Sequence, residues 1–347
     1  MKKEWTDHLR CPDCAGEIGC ASVEEMRGDR VLVGRLRCAK CAKEYPVIGG
    51  VPRFVSSDNY TESFGFEWLR HARTQYDEAS GTNITVRRFF AETQWPGELP
   101  GEKILEVGGG SGRFTAIAAK TGAFVVSLDF SRAVEANYAS NGSRDNVLIV
   151  QADMYRMPFP TGYFDRLYCL GVIQHTPDVE RAFKNLPRFL KPGGRIAMDC
   201  YVKMRGILPF FLRLTSTTYR ARSITKRMPH DRLYSFCTRY MNFMWPLAKI
   251  LGRSPRAGSF LLRRLMIPPY FGVYDLPEQT LKEWMILDMF DSLSPAYDSP
   301  QFIDVVEKWF RDCDLDAIDV AYGYNGINGR AVRKNSDSNV PVMTASG

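Results

Sequence analysis

The chain has 347 residues, 45% hydrophobic and 12% aromatic, enough for a packed core and for two domains or one large domain with attachments. No apolar run approaches the roughly 18 to 20 residues of a spanning helix, and MKKEWTDHLRC lacks the apolar stretch of a signal peptide, so the chain reads as cytoplasmic with its nine cysteines reduced. The net charge of +7 is uneven: Val202 to Pro268 holds fourteen Lys and Arg against one acid, Asp231, or +13, and the remainder is −6.

Near the N-terminus, Cys11-Pro12-Asp13-Cys14 and Cys38-Ala39-Lys40-Cys41 form two C-x-x-C knuckles separated by 23 residues. Four thiolates at this spacing suit a closed tetrahedral Zn²⁺ site, each knuckle delivering two sulfurs from a tight turn. With no open ligand position the zinc is expected to be structural, organising a segment too short to hold its own core. A redox pair or unpaired core cysteines are the alternatives, and the presence of two knuckles disfavours both. Val31 to Arg37 alternates like a strand leading into the second knuckle. Cys20, Cys169, Cys200, Cys237 and Cys313 have no such partners and read as ordinary buried residues.

Ser56 to Pro100 joins this segment to a run of alternating strands and helices. Phe64-Gly65-Phe66-Glu67-Trp68 and Thr74 to Asp77 are aromatic-rich, and Thr85 to Trp95 has helical spacing with Phe89, Phe90 and Trp95 on one face. Next comes KILEVGGGSGRF, Lys103 to Phe114. Ile104, Leu105 and Val107 make a short apolar run suited to a buried parallel strand. Gly108, Gly110 and Gly112 follow as G-x-G-x-G, which permits positive φ and close approach to a ligand at a helix N-terminus.

A second strand, Phe124 to Leu128, ends at Asp129, where an acid can accept both hydroxyls of a ribose. A third, Val147 to Val150, leads to Asp153 and Met154, suited to the edge and face of an adenine. Phe164 to Leu170 and Gly193 to Cys200 are the fourth and fifth strands. Phe114 stands where the later glycine of G-x-G-x-x-G would be, which argues against a dinucleotide. His175, just beyond the fourth strand, lies at a carboxyl end where α/β sheets bind ligands, and its pKa class suits a general base. The plainer alternative is that Asp178 caps the next helix and His175 completes that turn.

The basic segment reads as a largely helical cap, with GILPFFLRL and SFLLRRLMI pairing apolar faces with arginines. Leu276 to Phe290 and Pro300 to Phe310 are helical in pattern, Ala317 to Ala321 and Gly329 to Arg333 are the last strands, and KNSDSNVPVMTASG is polar and small enough to be disordered.

LEVGGGSG, SLDFS, QADMYRMPF, FDRLYCLGVIQH and LKPGGRIAMD occur here in the order and spacing of the class I S-adenosylmethionine-dependent methyltransferases, which the chain resembles. The resemblance implies a Rossmann-like, doubly wound seven-stranded α/β sheet, the final strand antiparallel. It implies S-adenosylmethionine as cofactor, held by Glu106, Gly108, Gly110, Gly112, Asp129, Phe130, Asp153, Met154 and Leu170; His175 stays the candidate catalytic residue on its position alone. It also implies that the helices before the sheet fold over the cofactor with Tyr76 and Arg88 at the pocket; the plain alternative is that their aromatics simply cover the sheet. LRCPDC and EYPVIGGVPRF resemble the zinc-ribbon activator of tRNA and translation-factor methyltransferases, a module also found fused ahead of bacterial methyltransferases. DMFDSLSPAYDSP, Asp288 to Pro300, is similar to a stretch of bacterial methyltransferases with this ribbon, cap and tail, and is a candidate part of the substrate wall.

The expected organisation is a zinc ribbon over 1–55, linker and N-terminal helices over 56–100, the cofactor-binding core over 101–201, a basic helical cap over 202–270, the remainder of the fold over 271–333 and a disordered tail over 334–347. The expected activity is methyl transfer to a small-molecule, sugar, glycan or lipid-linked acceptor. One alternative is an RNA base methyltransferase acting on rRNA or tRNA, since a zinc ribbon also precedes this fold in a ribosomal RNA guanine methyltransferase family. That family's second knuckle usually carries a histidine, absent here. The other is a non-catalytic scaffold, which the intact glycine loop with Asp129 and Asp153 opposes. The basic residues of 202–268, interleaved with Phe, Leu, Trp and Tyr, suit an anionic membrane surface better than nucleic acid, placing the protein peripherally at the inner face of a membrane; a merely solvated face is the alternative. The acceptor, the methylated atom and the oligomeric state are not set by the sequence.

Overall fold

The computed structural model describes residues 1–56, 59–207, 216–254 and 256–335. Residues 208–214 of GILPFFLRL and 336–347 of the tail lie outside the described residues.

The N-terminal strands β1 (Ile18–Arg27), β2 (Arg30–Cys38), β3 (Glu44–Ile48) and β4 (Val51–Pro52) pair antiparallel in that order. This small sheet is joined to the larger one through its last strand. Arg53 bridges Gln151 in parallel, the Phe54 N–H donates to the Gln151 carbonyl, and the Arg53 guanidinium donates to Gln151 Oε1 at 2.8 Å. Trp5, Leu9, Tyr45 and Val47 belong to one buried apolar cluster with Leu105, Val126 and Leu148 of the main sheet. A segment this short gains a core by borrowing its neighbour's. Cys20 is exposed and Cys313 half-buried, contrary to the expectation that both are buried. In the first case the reason is that β1 turns most of its length to solvent.

Three helices follow, α1 (Glu62–Arg70), α2 (Asp77–Ser80) and α3 (Ile84–Thr93). α3 stops at Gln94, which turns left-handed (φ 55°), and Phe89 and Trp95 pack edge-on against Tyr168. The main sheet then winds through β5 (Lys103–Val107), α4 (Arg113–Lys120), β6 (Phe124–Asp129), α5 (Val134–Asn141), β7 (Val147–Gln151), β8 (Phe164–Cys169), α6 (Val179–Asn185) and β9 (Leu190–Cys200). β9 begins three residues earlier than the sequence pattern implies, since Leu190 pairs with Phe164 ahead of a register shift.

Helices α7 (Thr217–Thr225), α8 (His230–Gly252), α9 (Ala257–Arg264) and α10 (Glu278–Leu293) precede α11 (Ile303–Asp312), β10 (Leu315–Gly323) and β11 (Gly326–Arg333). The sheet order is β10-β11-β9-β8-β5-β6-β7, parallel from β7 to β9, with β11 antiparallel to both its neighbours. This is a mixed seven-stranded α/β sheet. Its parallel strands are buried along almost every residue, as strands covered by helices on both faces must be. The helices inserted between β9 and α11 form a core of their own. Leu233, Cys237, Met241 and Trp245 line one face of α8 and meet Leu281, Met285, Met289 and Phe290 of α10.

β5 pairs with β6 on one side and β8 on the other, so the winding reverses there and leaves a crevice at the strands' carboxyl ends. One buried acid ties its rim together. Asp199, at the end of β9 and fully buried, accepts the Gly171 N–H and an Arg88 N–H, and Arg88 also reaches Glu92. Breaking a buried ion pair leaves the other charge uncompensated. Asp199→Ala is expected to lower the unfolding free energy by about 3 kcal/mol in urea titration, whereas Asp319→Ala, which removes a half-exposed partner of Arg330, should cost less than about 1 kcal/mol.

Candidate active site

The glycine loop is held from below by β6: the N–H groups of Gly108 and Gly109 both donate to the Leu128 carbonyl, at 2.7 and 3.0 Å. Gly108 has φ +85° and its missing side chain makes room for Val172, whose nearest carbon would lie 2.3 Å from a Cβ. That close approach brings the loop after β8 over the loop after β5. Asp129, at the tip of β6, completes the arrangement. Its Oδ2 accepts the Gly110 N–H at 2.8 Å, and its Oδ1 accepts the N–H and hydroxyl of Ser131 at 2.8 and 2.7 Å. Burial raises the Asp129 pKa, and these donors oppose the rise. Oδ2 keeps acceptor capacity for one further donor.

These elements open on a cavity of about 250 Å³. Of the residues singled out from the sequence, Gly108, Gly110, Asp129, Phe130, Asp153, Met154, Leu170 and His175 line it, as does Arg88. Asp153 has one oxygen engaged, Oδ1 accepting the Tyr155 N–H at 2.8 Å. Glu106 and Gly112 do not line it. Glu106 is buried beneath the loop, where Thr115 donates to it. Gly112 caps α4 with φ +93°, and a Cβ there would sit 2.2 Å from Asn137 Oδ1, so its glycine serves packing against α5. Tyr76 stands behind the loop, its hydroxyl donating to the Ser111 carbonyl at 2.8 Å.

His175 closes a short 3₁₀ turn after β8 and is 7% exposed. Its ring lies between Phe64 and Tyr201, with centroids 5.0 and 5.5 Å away, and its Nδ1 is 3.1 Å from the Tyr297 carbonyl. A carbonyl only accepts, so Nδ1 carries the hydrogen and Nε2 the lone pair. Burial lowers the His175 pKa, favouring the neutral ring. Asp178 caps α6 by accepting the Arg181 N–H at 3.0 Å.

The tertiary structure adds three carboxyls to the lining: Glu67 from α1 and Asp288 and Asp291 from α10. Burial is the main cause that raises all three, and neighbouring carboxyls add to it, Asp288 and Asp291 acting on Glu67, Asp291 on Asp288 and Asp298 on Asp291, leaving Asp288 and Asp291 at about 7. The two aspartates fall in the stretch that resembles a substrate wall; Glu67 is hidden in an aromatic run, where an acid among rings is the available signal.

In the small sheet, the four sulfurs of Cys11, Cys14, Cys38 and Cys41 lie within 4.8 Å of one another, with Cys11–Cys41 at 3.7 Å and Cys14–Cys38 at 3.4 Å. A tetrahedral centre with ~2.3 Å metal–sulfur bonds needs sulfurs roughly 3.8 Å apart. Gly16 leaves the space, since a Cβ there would be 2.9 Å from the Cys38 sulfur.

Residues 105–198 match the family model described as a methyltransferase domain. This stretch is a methyltransferase domain. A ubiquinone/menaquinone biosynthesis C-methyltransferase, UbiE, of Vibrio cholerae is 34% identical over 169 residues, 41% of this chain and 64% of that protein. The sterol 24-C-methyltransferase ERG6B of Gibberella zeae is 37% identical over 103 residues, covering 28% of this chain and 27% of its own. A solved complex of the Haloferax volcanii Trm112 methyltransferase activator with a methyltransferase has a TM-score of 0.43 at 14% identity, covering 79% of this chain and 99% of that one. The chain spans less than two thirds of the length of the curated relatives it matches.

Proposed function

We propose that the protein is an S-adenosylmethionine-dependent methyltransferase acting on a small-molecule acceptor, such as a sugar, glycan or lipid-linked intermediate. The observation that carries this reading is Asp129, half-buried at the tip of β6 against the Gly110 amide with acceptor capacity left on Oδ2. A ribose hydroxyl fits that acceptor, and Asp153 and Met154 beyond β7 fit an adenine edge and face. The likeness to a C-methyltransferase of ubiquinone/menaquinone biosynthesis and to a sterol 24-C-methyltransferase supports a small acceptor over RNA.

When bound, S-adenosylmethionine supplies a methyl group on a positively charged sulfur. The chain's own work is then positioning and exclusion of water. Gly108 and Gly110 allow close approach of the backbone, Phe64 and Trp68 cover the cavity from α1, and His175 Nε2 can take a proton from a hydroxyl acceptor. The four cysteines would hold a structural Zn²⁺ that ties the ribbon's two knuckles together, without a position open for chemistry.

The cap offers a surface for the acceptor's carrier. On α8, Phe236, Phe243, Leu247 and Ile250 form one exposed stripe, Phe243 at 81%, beside Arg232 and Arg239; on α9, Phe260 and Leu261 are exposed beside Arg264. Basic residues flanking apolar ones fit the interface of an anionic membrane, which no helix among the described residues is long and apolar enough to cross.

Asp129→Ala should weaken S-adenosylmethionine binding tenfold or more by calorimetry, since a charge-assisted bond is worth roughly 1.5–3 kcal/mol; unchanged affinity in a folded variant rules out the assignment. Metal analysis should find one zinc per chain, lost in Cys38→Ser together with thermal stability. Flotation should show binding to anionic but not neutral vesicles, weakened by salt and by Phe243→Ser; equal recovery with both would leave the cap without this role.

A further inference from the structure

The cavity has a second compartment. A neighbouring cavity of about 340 Å³ lies under the cap, bounded by Arg222, Arg263, Pro268 and Asp298. His175, Tyr201, Asp288 and Asp291 line both cavities and so form the wall between them. Glu67, only 3% exposed, lines the first compartment beside this wall, and its Oε2 meets no hydrogen-bond partner. Asp291 Oδ1 and Asp298 Oδ1 are likewise buried and unpartnered. A buried acceptor without a donor is costly, which points to a ligand that brings donors.

The surrounding charges narrow its chemistry. Arg113 acts on Glu67 and Asp291, Arg222 on Asp291 and Arg263 on Asp288, each favouring the ionised acid. The Arg222 guanidinium is itself fixed, donating to the carbonyls of Ser292 and Pro295 at 2.8 and 3.0 Å. A cationic ligand would therefore meet arginines of its own sign beside each carboxylate. A neutral ligand with several hydroxyls would not: its hydroxyls can donate to the carboxylates and accept from the guanidinium groups. Tyr270, whose hydroxyl is hydrogen-bonded to Asp288, and Tyr201 give aromatic surface for the apolar face of a ring. Acids poised at about 7 can also donate and accept in turn.

We propose that this wall is the acceptor subsite and takes a sugar ring, its hydroxyls held by Glu67, Asp288 and Asp291 and the rest of the glycoside lying in the compartment under the cap. This rests on the methyltransferase reading only in giving the other half of the cavity to the cofactor.

The test is saturation-transfer NMR on the full chain, with and without S-adenosylhomocysteine, using methyl glycosides of glucose, galactose, mannose and rhamnose as probes and tetramethylammonium as the cationic comparison. Transfer to the ring protons of at least one glycoside is expected, falling fivefold or more in Glu67→Gln and in the Asp288→Asn/Asp291→Asn double variant. Calorimetry should find S-adenosylhomocysteine affinity kept within about twofold in these near-isosteric variants, which shows that they fold. No transfer to any glycoside, undiminished transfer in the variants, or preference for tetramethylammonium overturns the sugar subsite. Failure of wild-type protein to bind S-adenosylhomocysteine, with glycoside transfer intact, would instead overturn the methyltransferase reading and leave the subsite standing.

Discussion

Much of the molecule's arrangement hangs on the buried carboxylate of Asp199. It sits at the end of β9 with no solvent to share its charge, so it needs donors from the protein. One is the Gly171 N–H, which fixes the start of the loop that carries His175; another is Arg88, which draws α3 across the crevice. Arg88 is in turn shared with Glu92. The carboxylate therefore couples the sheet, the loop after β8 and the helices before the sheet into one rim.

The small N-terminal sheet is held to the larger one by a shared apolar cluster and by ring and ionic contacts, Trp5 and His8 against Phe124 and Lys2 and Arg30 on Asp145 among them. Its last strand continues onto the edge of β7 through Arg53 and Gln151, and the Met1 amino group is bound by the carbonyls of Val31 and Gly50. The α10 helix plays the corresponding part at the other end. It is buried on nearly every side, facing the cap's core with Met285 and Met289 and the cavity with Trp284, Asp288 and Asp291. The same helix therefore belongs both to the cap's core and to the cavity wall.

Two sets of acids with different surroundings divide the cavity. Asp129 is supplied with three donors, which counter its burial, while Glu67, Asp288 and Asp291 are raised by burial and by neighbouring carboxyls, Asp298 among them. Low dielectric makes the first set a fixed acceptor and the second an incomplete one, ready for donors from outside.

The sequence by itself determined the succession of the parallel strands along the chain and the two metal-type knuckles, because each is a local signal. Buried parallel strands must be apolar throughout, a tight strand-to-helix turn needs glycine, and C-x-x-C places two sulfurs on one turn. Gly108, Gly110, Asp129, Asp153 and Met154 could be named together because each follows directly on such a strand, and all five line one cavity. What only the tertiary structure decided depends on contacts between distant segments. Gly112 and Glu106 look like loop and strand-end ligands in the sequence, yet they face Asn137 and Thr115 beneath the loop. Glu67 meets Asp288 and Asp291 across more than 200 residues of chain, and no spacing rule connects an acid in an aromatic run to two acids on a late helix. Their pairing arises from the cap folding back over the crevice, a packing choice made by the buried stripe of α8 against α10.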